Sequence, residues 1–148
     1  MPHPLLIVED DSDSAYLYEL FLEGLPVEIS CAESIPDAIE ALAGGLRPEI
    51  VVLDYHVGSG DVHGFASQLR DLAGPRSTRI LLVSGEDGLA AKAESLRADA
   101  FLRKPVDLGD FQTVILQLLG EPVTQNAMPG SAAPGTSSSL SFAAVREL

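Results

Sequence analysis

Three short apolar runs each end on residues suited to metal or phosphoryl chemistry. LLIV is followed by Glu9-Asp10-Asp11, IVVL by Asp54, and AFLR by Lys104-Pro105. Carboxylates brought together offer hard oxygen ligands to a divalent cation such as Mg2+. A lysine facing them adds a point charge for phosphate oxygens. A fourth run, ILLV, ends at Ser84-Gly85, which adds a hydroxyl donor and leaves room around it. Taken singly, each signal has a plain structural reading. An Asp after a strand caps a helix or forms a turn, a reading that stands level with a ligand role for Asp11 and Asp13; Ser-Gly is a turn signal, and a lysine is a surface charge. Placed together at the ends of successive apolar runs, they argue for one site.

The segments that would position these residues alternate strictly. Strands are expected at Leu5–Val8, Val27–Cys31, Ile50–Leu53, Ile80–Val83 and Ala100–Arg103. The short, wholly apolar runs among them suit buried parallel strands. Helices are expected at Ser14–Leu22, with Leu17, Leu20 and Phe21 on one face, at Ile35–Ala43 with Pro36 early and Gly44-Gly45 closing, and at Phe65–Leu72, Leu89–Leu96 and Leu108–Leu119. Five strands alternating with five helices predict an α/β fold, a doubly wound parallel sheet with helices on both faces. Such sheets bind ligands beyond the carboxyl ends of their strands, at the point where strand order reverses. The acidic residues, Ser84 and Lys104 fall at that rim.

Composition narrows the function. The 148 residues carry a formal charge of −13 and, within residues 1–120, 20 acidic against 8 basic side chains. Such a field repels nucleic-acid phosphates, and no run of Lys or Arg offers a local exception. The single cysteine, Cys31, lies in the apolar stretch VEISC, a strand residue rather than a redox centre; one thiol forms no internal disulfide framework and fits a reducing compartment. Only four strongly apolar residues precede the first carboxylates, too few for a signal peptide or a membrane span. A cytoplasmic location, without membrane or nucleic-acid partners, is the expectation. Length suits one domain at 1–120. Residues 121–148 read as a Pro/Gly/Ser-rich tail, whose final Leu140, Phe142, Val145 and Leu148 are spaced for a short amphipathic segment or a frayed end.

In VEDD, VVLD, LLVS and FLRKP, in that order and at those strand ends, residues 4–119 resemble the receiver domain of response regulators, the phosphoacceptor module of two-component signalling. The resemblance implies a flavodoxin-like sheet of order 2-1-3-4-5. It implies Asp54 as phosphoacceptor. It implies an Mg2+ site of Glu9, Asp10, Asp54 and the His56 backbone carbonyl, with Asp10 a more direct ligand than Glu9. Lys104 contacts phosphate, ahead of a cis bond to Pro105; Ser84 donates to a phosphoryl oxygen; Phe101 is the switch aromatic, although it lacks the hydroxyl of the Tyr common at that place. His56, two residues beyond Asp54, and Glu86, two beyond Ser84, fall where side chains tune hydrolysis of the acyl phosphate. Without a metal, the neighbouring carboxylates would raise one another's pKa. The implied partners are a histidine kinase or phosphotransfer protein upstream and, downstream, a protein bound at helix 4, strand 5 and helix 5, where Lys92, Asp99, Phe101, Arg103, Phe111 and Val114 are expected; a homodimer is compatible. With only 28 residues after Gly120, there is no room for an output domain of the DNA-binding kind, so a single-domain regulator, or a receiver cut from a longer chain, is expected.

One segment departs from the family pattern. After Asp54 the chain reads YHVGSGDVHGF, with Gly58 where a proline is usual and the closing Gly64 two residues late. This predicts a longer, glycine-rich loop, more mobile than standard. His56 and His63 there make a weak zinc signal. Two rival functions remain open at this point: a phosphorylation-independent receiver-like binding scaffold, and a phosphohydrolase of the haloacid-dehalogenase type, which needs a second Asp where His56 stands.

Overall fold

The computed structural model describes residues 2–56, 61–73 and 78–120. The tail and the glycines at 58 and 60 lie outside the described residues. Ten elements alternate: β1 (His3–Val8), α1 (Ser12–Phe21), β2 (Val27–Ala32), α2 (Ile35–Ala43), β3 (Ile50–Asp54), α3 (Val62–Ala73), β4 (Arg79–Ser84), α4 (Leu89–Leu96), β5 (Ala100–Arg103) and α5 (Leu108–Leu119). The strands form one parallel sheet in the order β2-β1-β3-β4-β5, the expected doubly wound arrangement.

Because side chains alternate along a strand, each apolar run feeds two cores at once. Leu6 and Val8, Val51 and Leu53, and Ile80 and Leu82 pack with α2, α3 and α4. Leu5 and Ile7, Ile50 and Val52, Leu81 and Val83, and Ala100 and Leu102 pack with α1 and α5. Continuing the alternation past the last apolar residues assigns Glu9, Asp54 and Lys104 to the α1/α5 side. It assigns Ser84 to the opposite side, where Phe101 also lies, paired in register with Leu82.

Helix starts follow their caps. The Asp11 carboxylate accepts from Ser14 N at 3.0 Å, Ser34 Oγ from Asp37 N at 3.1 Å, and Asp107 Oδ2 from Asp110 N at 3.0 Å. Asp61 accepts from Gly64 N at 3.0 Å at the start of α3, and α3 therefore begins at Val62, three residues before the expected Phe65.

Two side-chain expectations are corrected. On α1, Leu17 and Leu20 are each 41% exposed; Tyr18 and Leu22 are buried instead, with Ala15 and Phe21 partly so. The cause is Phe111, which stacks on Tyr18 with ring centroids 5.4 Å apart and meets Phe21 at 5.7 Å. Consequently Phe111 and Val114 belong to the core and not to an exposed face of α5. Cys31 does lie in β2, exposed, with its thiol donating to Glu19 Oε2 at 3.0 Å; desolvation and that carboxylate push its pKa up to about 12, so it is a poor nucleophile.

Removing the aromatic stack tests this packing. Phe111→Ala is expected to cost about 3–5 kcal/mol, as for large-to-small changes in a filled core. Leu20→Ala should cost under about 1 kcal/mol. Urea unfolding measures both; equal costs would contradict the assignment of the α1 face.

Candidate phosphoryl and metal site

Each site residue is held by hydrogen bonds that prolong the sheet beyond its strands. Glu9 N donates to Ala32 O at 3.0 Å, Tyr55 N to Val83 O at 3.0 Å, and Lys104 N to Ser84 O at 3.0 Å. The end of β1 is therefore tied to β2, and the ends of β3, β4 and β5 to one another, while β1 and β3 are paired up to Val8 and Leu53. The Lys104–Pro105 bond is cis.

Within that rim, ligand oxygens of Glu9, Asp10 and Asp54 lie within 4.8 Å of one another. Glu9 and Asp54 are buried and Asp10 is exposed. Lys104 Nζ stands 3.5 Å from Glu9 Oε1 and 3.6 Å from Asp54 Oδ2. One ammonium thus faces two buried carboxylates, with a third beside them. Burial, followed by the Asp54 charge, pushes the Glu9 carboxyl up to about 7. Lys104 and the Asp11 N–H, donating at 3.2 Å, act in the opposite direction but do not prevail. Three hard oxygen donors short of cationic charge fit a divalent ion of the Mg2+ kind, which takes one or two carboxylates and keeps water. This is the only group of three or more acidic, His or Cys ligands among the described residues; His56 and His63 do not form a second one, and the zinc reading has no support there.

Asp11 is not a ligand in this arrangement. Its carboxylate caps α1, and hydrogen bonds from the Ser14 hydroxyl, at 2.7 Å, and backbone hold it below the usual carboxylate range. Ser84, fully buried, accepts at Oγ from Glu86 N at 3.1 Å, which leaves its O–H proton to donate elsewhere. Asp54 Oδ1 accepts from His56 N at 3.1 Å.

The segments that follow β3 and β4 are joined by a bridge that the sequence does not reveal. His56 Nε2 meets Glu86 Oε2 at 2.6 Å, and Lys92 Nζ meets the other oxygen, Glu86 Oε1, at 3.1 Å. Lys92, followed by His56, holds the exposed Glu86 carboxyl below its usual range. Lys92 also donates to Asp87 O at 2.9 Å and sits 5.4 Å over the Tyr55 ring, whose hydroxyl meets His63 Nε2 at 3.3 Å. Sequence reasoning placed His56 and Glu86 at the rim separately and gave Tyr55 no role. The only available signal was its position beside Asp54.

The fold and this rim define a class, and comparison with known proteins gives the same class. Residues 5–116 match the family model for the response regulator receiver domain, and the chain belongs to that family. Similar solved structures include a chain from Chloroflexus aurantiacus J-10-fl, provisionally termed a response regulator (25% identity, 82% of this chain and 100% of that one, TM-score 0.72). A receiver domain from Methylobacillus flagellatus is similar at 25% identity, 80% and 99% coverage and TM-score 0.69. A two-component response regulator from Clostridium difficile shares the fold at 21% identity, 80% and 96% coverage and TM-score 0.70. Among curated proteins, none matches the chain.

The protein is accordingly a phosphoacceptor of two-component signalling, with a Glu9, Asp10 and Asp54 cluster of the kind that holds Mg2+ and phospho-aspartate in this family. Its chemistry is phosphorylation and dephosphorylation of its own side chain, not turnover of an external substrate. Family membership also carries interaction with a histidine kinase or phosphotransfer protein. No helix among the described residues is long and apolar enough to cross a membrane.

The raised Glu9 carboxyl gives a signed prediction. Its folded value, about 7, lies above the ordinary 4.5, so its contribution is fully present below pH 4.5 and is lost as pH rises through 7. In EDTA, the urea midpoint of the wild type relative to Glu9→Gln should therefore fall between pH 4.5 and 7. Millimolar Mg2+ should flatten that fall, because a cation stabilises the ionised form. The same slope with and without Mg2+ would show that Glu9 does not sense the metal.

Proposed function

We propose that Asp54 accepts the phosphoryl group, with Glu9, Asp10, Asp54 and the His56 carbonyl holding Mg2+, and with Lys104 and Ser84 contacting the phosphoryl oxygens. The observation that carries this reading is the Lys104 ammonium placed between two buried carboxylates, 3.5 Å from Glu9 and 3.6 Å from Asp54. An ionised Asp54 oxygen attacks phosphorus as the donor's P–N bond breaks. The electron pair leaves with the donor nitrogen, and a P–O bond forms at Asp54. Mg2+, when bound, neutralises the clustered carboxylates and the charge on the moving phosphoryl group.

Lys104 needs only a side-chain rotation to pass from Asp54 to the new phosphoryl oxygens. Ser84 keeps its hydroxyl proton for a third oxygen while Glu86 N steadies Oγ from behind. Phe101 is half-buried on the same side of the sheet as Ser84, which supports a switch role in which its ring follows the serine. The His56–Glu86 bridge supports a tuning role: it joins the residues two places beyond Asp54 and Ser84, where it would limit the approach of water. We assign residues 1–120 to one receiver domain, with 121–148 as a tail. Output through the surface formed by α4, β5 and α5 uses Lys92, Asp99, Phe101 and Arg103, without the buried Phe111 and Val114.

Incubation with Mg2+ and acetyl phosphate should give an intact-mass phosphoryl adduct in the wild type and none in Asp54→Asn. An adduct that survives the substitution would sink the Asp54 assignment. Lys104→Ala should slow adduct formation by about 10²-fold, the scale of losing one electrostatic contact in a transition state. His56→Asn and Glu86→Gln, each breaking the bridge, should shorten the adduct's lifetime by a similar factor in both. Unchanged lifetimes would remove the bridge from the chemistry.

A further inference from the structure

Two backbone N–H groups reach side chains of the phosphoryl site: His56 N donates to Asp54 Oδ1 and Glu86 N to Ser84 Oγ, each at 3.1 Å. The side chains of the same two residues meet in the His56–Glu86 bridge, which therefore joins the segments that hold the nucleophile and the hydroxyl. Left to itself that pair would be weak. His56 and Glu86 are 55% and 46% exposed, and ion pairs so open to water contribute little, because the cost of ordering two side chains offsets a screened attraction. Lys92 on α4 changes the balance. Its Nζ lies 3.1 Å from Glu86 Oε1, the oxygen that His56 does not meet, donates to Asp87 O at 2.9 Å and stands 5.4 Å from the centre of the Tyr55 ring, within cation–π range. At 24% exposure it is less open than either partner of the bridge. Its three contacts are a carboxylate, the backbone of the turn before α4, and the residue next to Asp54. The start of α4 offers no substitute, since Gly88 stands at its N-cap without a side-chain hydrogen bond.

We propose that Lys92 is a positioning residue that sets the lifetime of the acyl phosphate: by holding Glu86 Oε1 it keeps Oε2 on His56, and so keeps the segments after β3 and β4 together beside Asp54 and Ser84. This rests on the proposed tuning role of the bridge and names the group that makes an exposed pair durable. Loss of the phosphoryl group requires water at phosphorus. A water oxygen bonds to phosphorus while the P–O bond to Asp54 breaks; the electron pair returns to the carboxylate, one water proton stays on the inorganic phosphate and the other passes to solvent. Lys92 acts on none of these atoms directly. It stops the Glu86 side chain from swinging away, which would leave His56 free to turn as well. A lysine that merely screened the nearest acid would have no need of a carbonyl and an aromatic face at the same time. Tyr55 thereby gains a role, as the ring against which the ammonium rests.

The test uses the full chain with Mg2+ and acetyl phosphate, and follows decay of the adduct by intact mass after the donor is removed. Lys92→Met keeps the apolar stem and removes the ammonium; Lys92→Arg keeps a cation. Lys92→Met is expected to shorten the lifetime by the same factor as Glu86→Gln. The double variant Lys92→Met/Glu86→Gln should shorten it no further, because both changes act through one carboxylate. Lys92→Arg should recover most of the lifetime, and the urea midpoint of each variant should stay close to that of the wild type. Nitrogen-15 NMR of the His56 imidazole at one fixed pH reads the bridge itself, and its signal should move in Lys92→Met as it does in Glu86→Gln. An unmoved His56 signal, or factors that multiply in the double variant, would overturn the assignment of Lys92. So would a lifetime that falls in His56→Asn and Glu86→Gln but not in Lys92→Met, and that result leaves the tuning role of the bridge standing. Lifetimes unchanged in all three single variants, with the His56 signal moved, would instead overturn the tuning role and with it any part of Lys92 in the chemistry.

Discussion

Everything in this domain hangs on the two-residue period of five parallel strands hydrogen-bonded in a fixed register. Because Ile7, Val52 and Leu102 all point into the α1/α5 core, the residues two places later, Glu9, Asp54 and Lys104, come up on one side at one rim. A slip of one residue in β3 would send Val52 and Asp54 to the other side and separate the carboxylates from the lysine. The ladder bonds from Glu9, Tyr55 and Lys104 to neighbouring strand ends carry the register past the point where the apolar residues stop. Burial of both cores thus fixes the site geometry, and the site residues themselves contribute little to holding it.

That economy has an electrostatic cost. Glu9 and Asp54 are removed from water with a single ammonium to serve both, and burial with the Asp54 charge pushes the Glu9 carboxyl up to about 7. Buried charges short of counter-charge destabilise a fold unless something binds them. A site in that condition is poised for a cation and for a group that gives Lys104 new oxygens to hold. The same shortage recurs over the surface, where Lys92 and Arg103 are taken up by the chain's own carboxylates and carbonyls.

The fold was legible because apolar runs and turn signals are local. Element count and the rim positions of Glu9, Asp54, Ser84 and Lys104 followed from runs that end abruptly on polar residues, whereas the strand order came from the family resemblance. Side-chain details that depend on distant partners were not legible. The Leu17/Leu20 stripe looks like a core face until Phe111, some 90 residues away in sequence, takes Tyr18 as its stacking partner. Phe111 and Val114 were misplaced on the surface for the same reason. His56 and Glu86 could each be put at the rim from their offsets, but the bridge between them, completed by Lys92 and Tyr55, arises only when the β3 and β4 loops are folded side by side.

The sheet's two open edges have a consequence for how the protein communicates. One edge, β2, carries the exposed Glu28 and Cys31; the other, β5, is four residues long and ends at Lys104-Pro105. A short strand and a charged one are poor templates for main-chain pairing. Strand addition is therefore disfavoured at both edges, which leaves the side chains on helices and loops as the more open means of recognition.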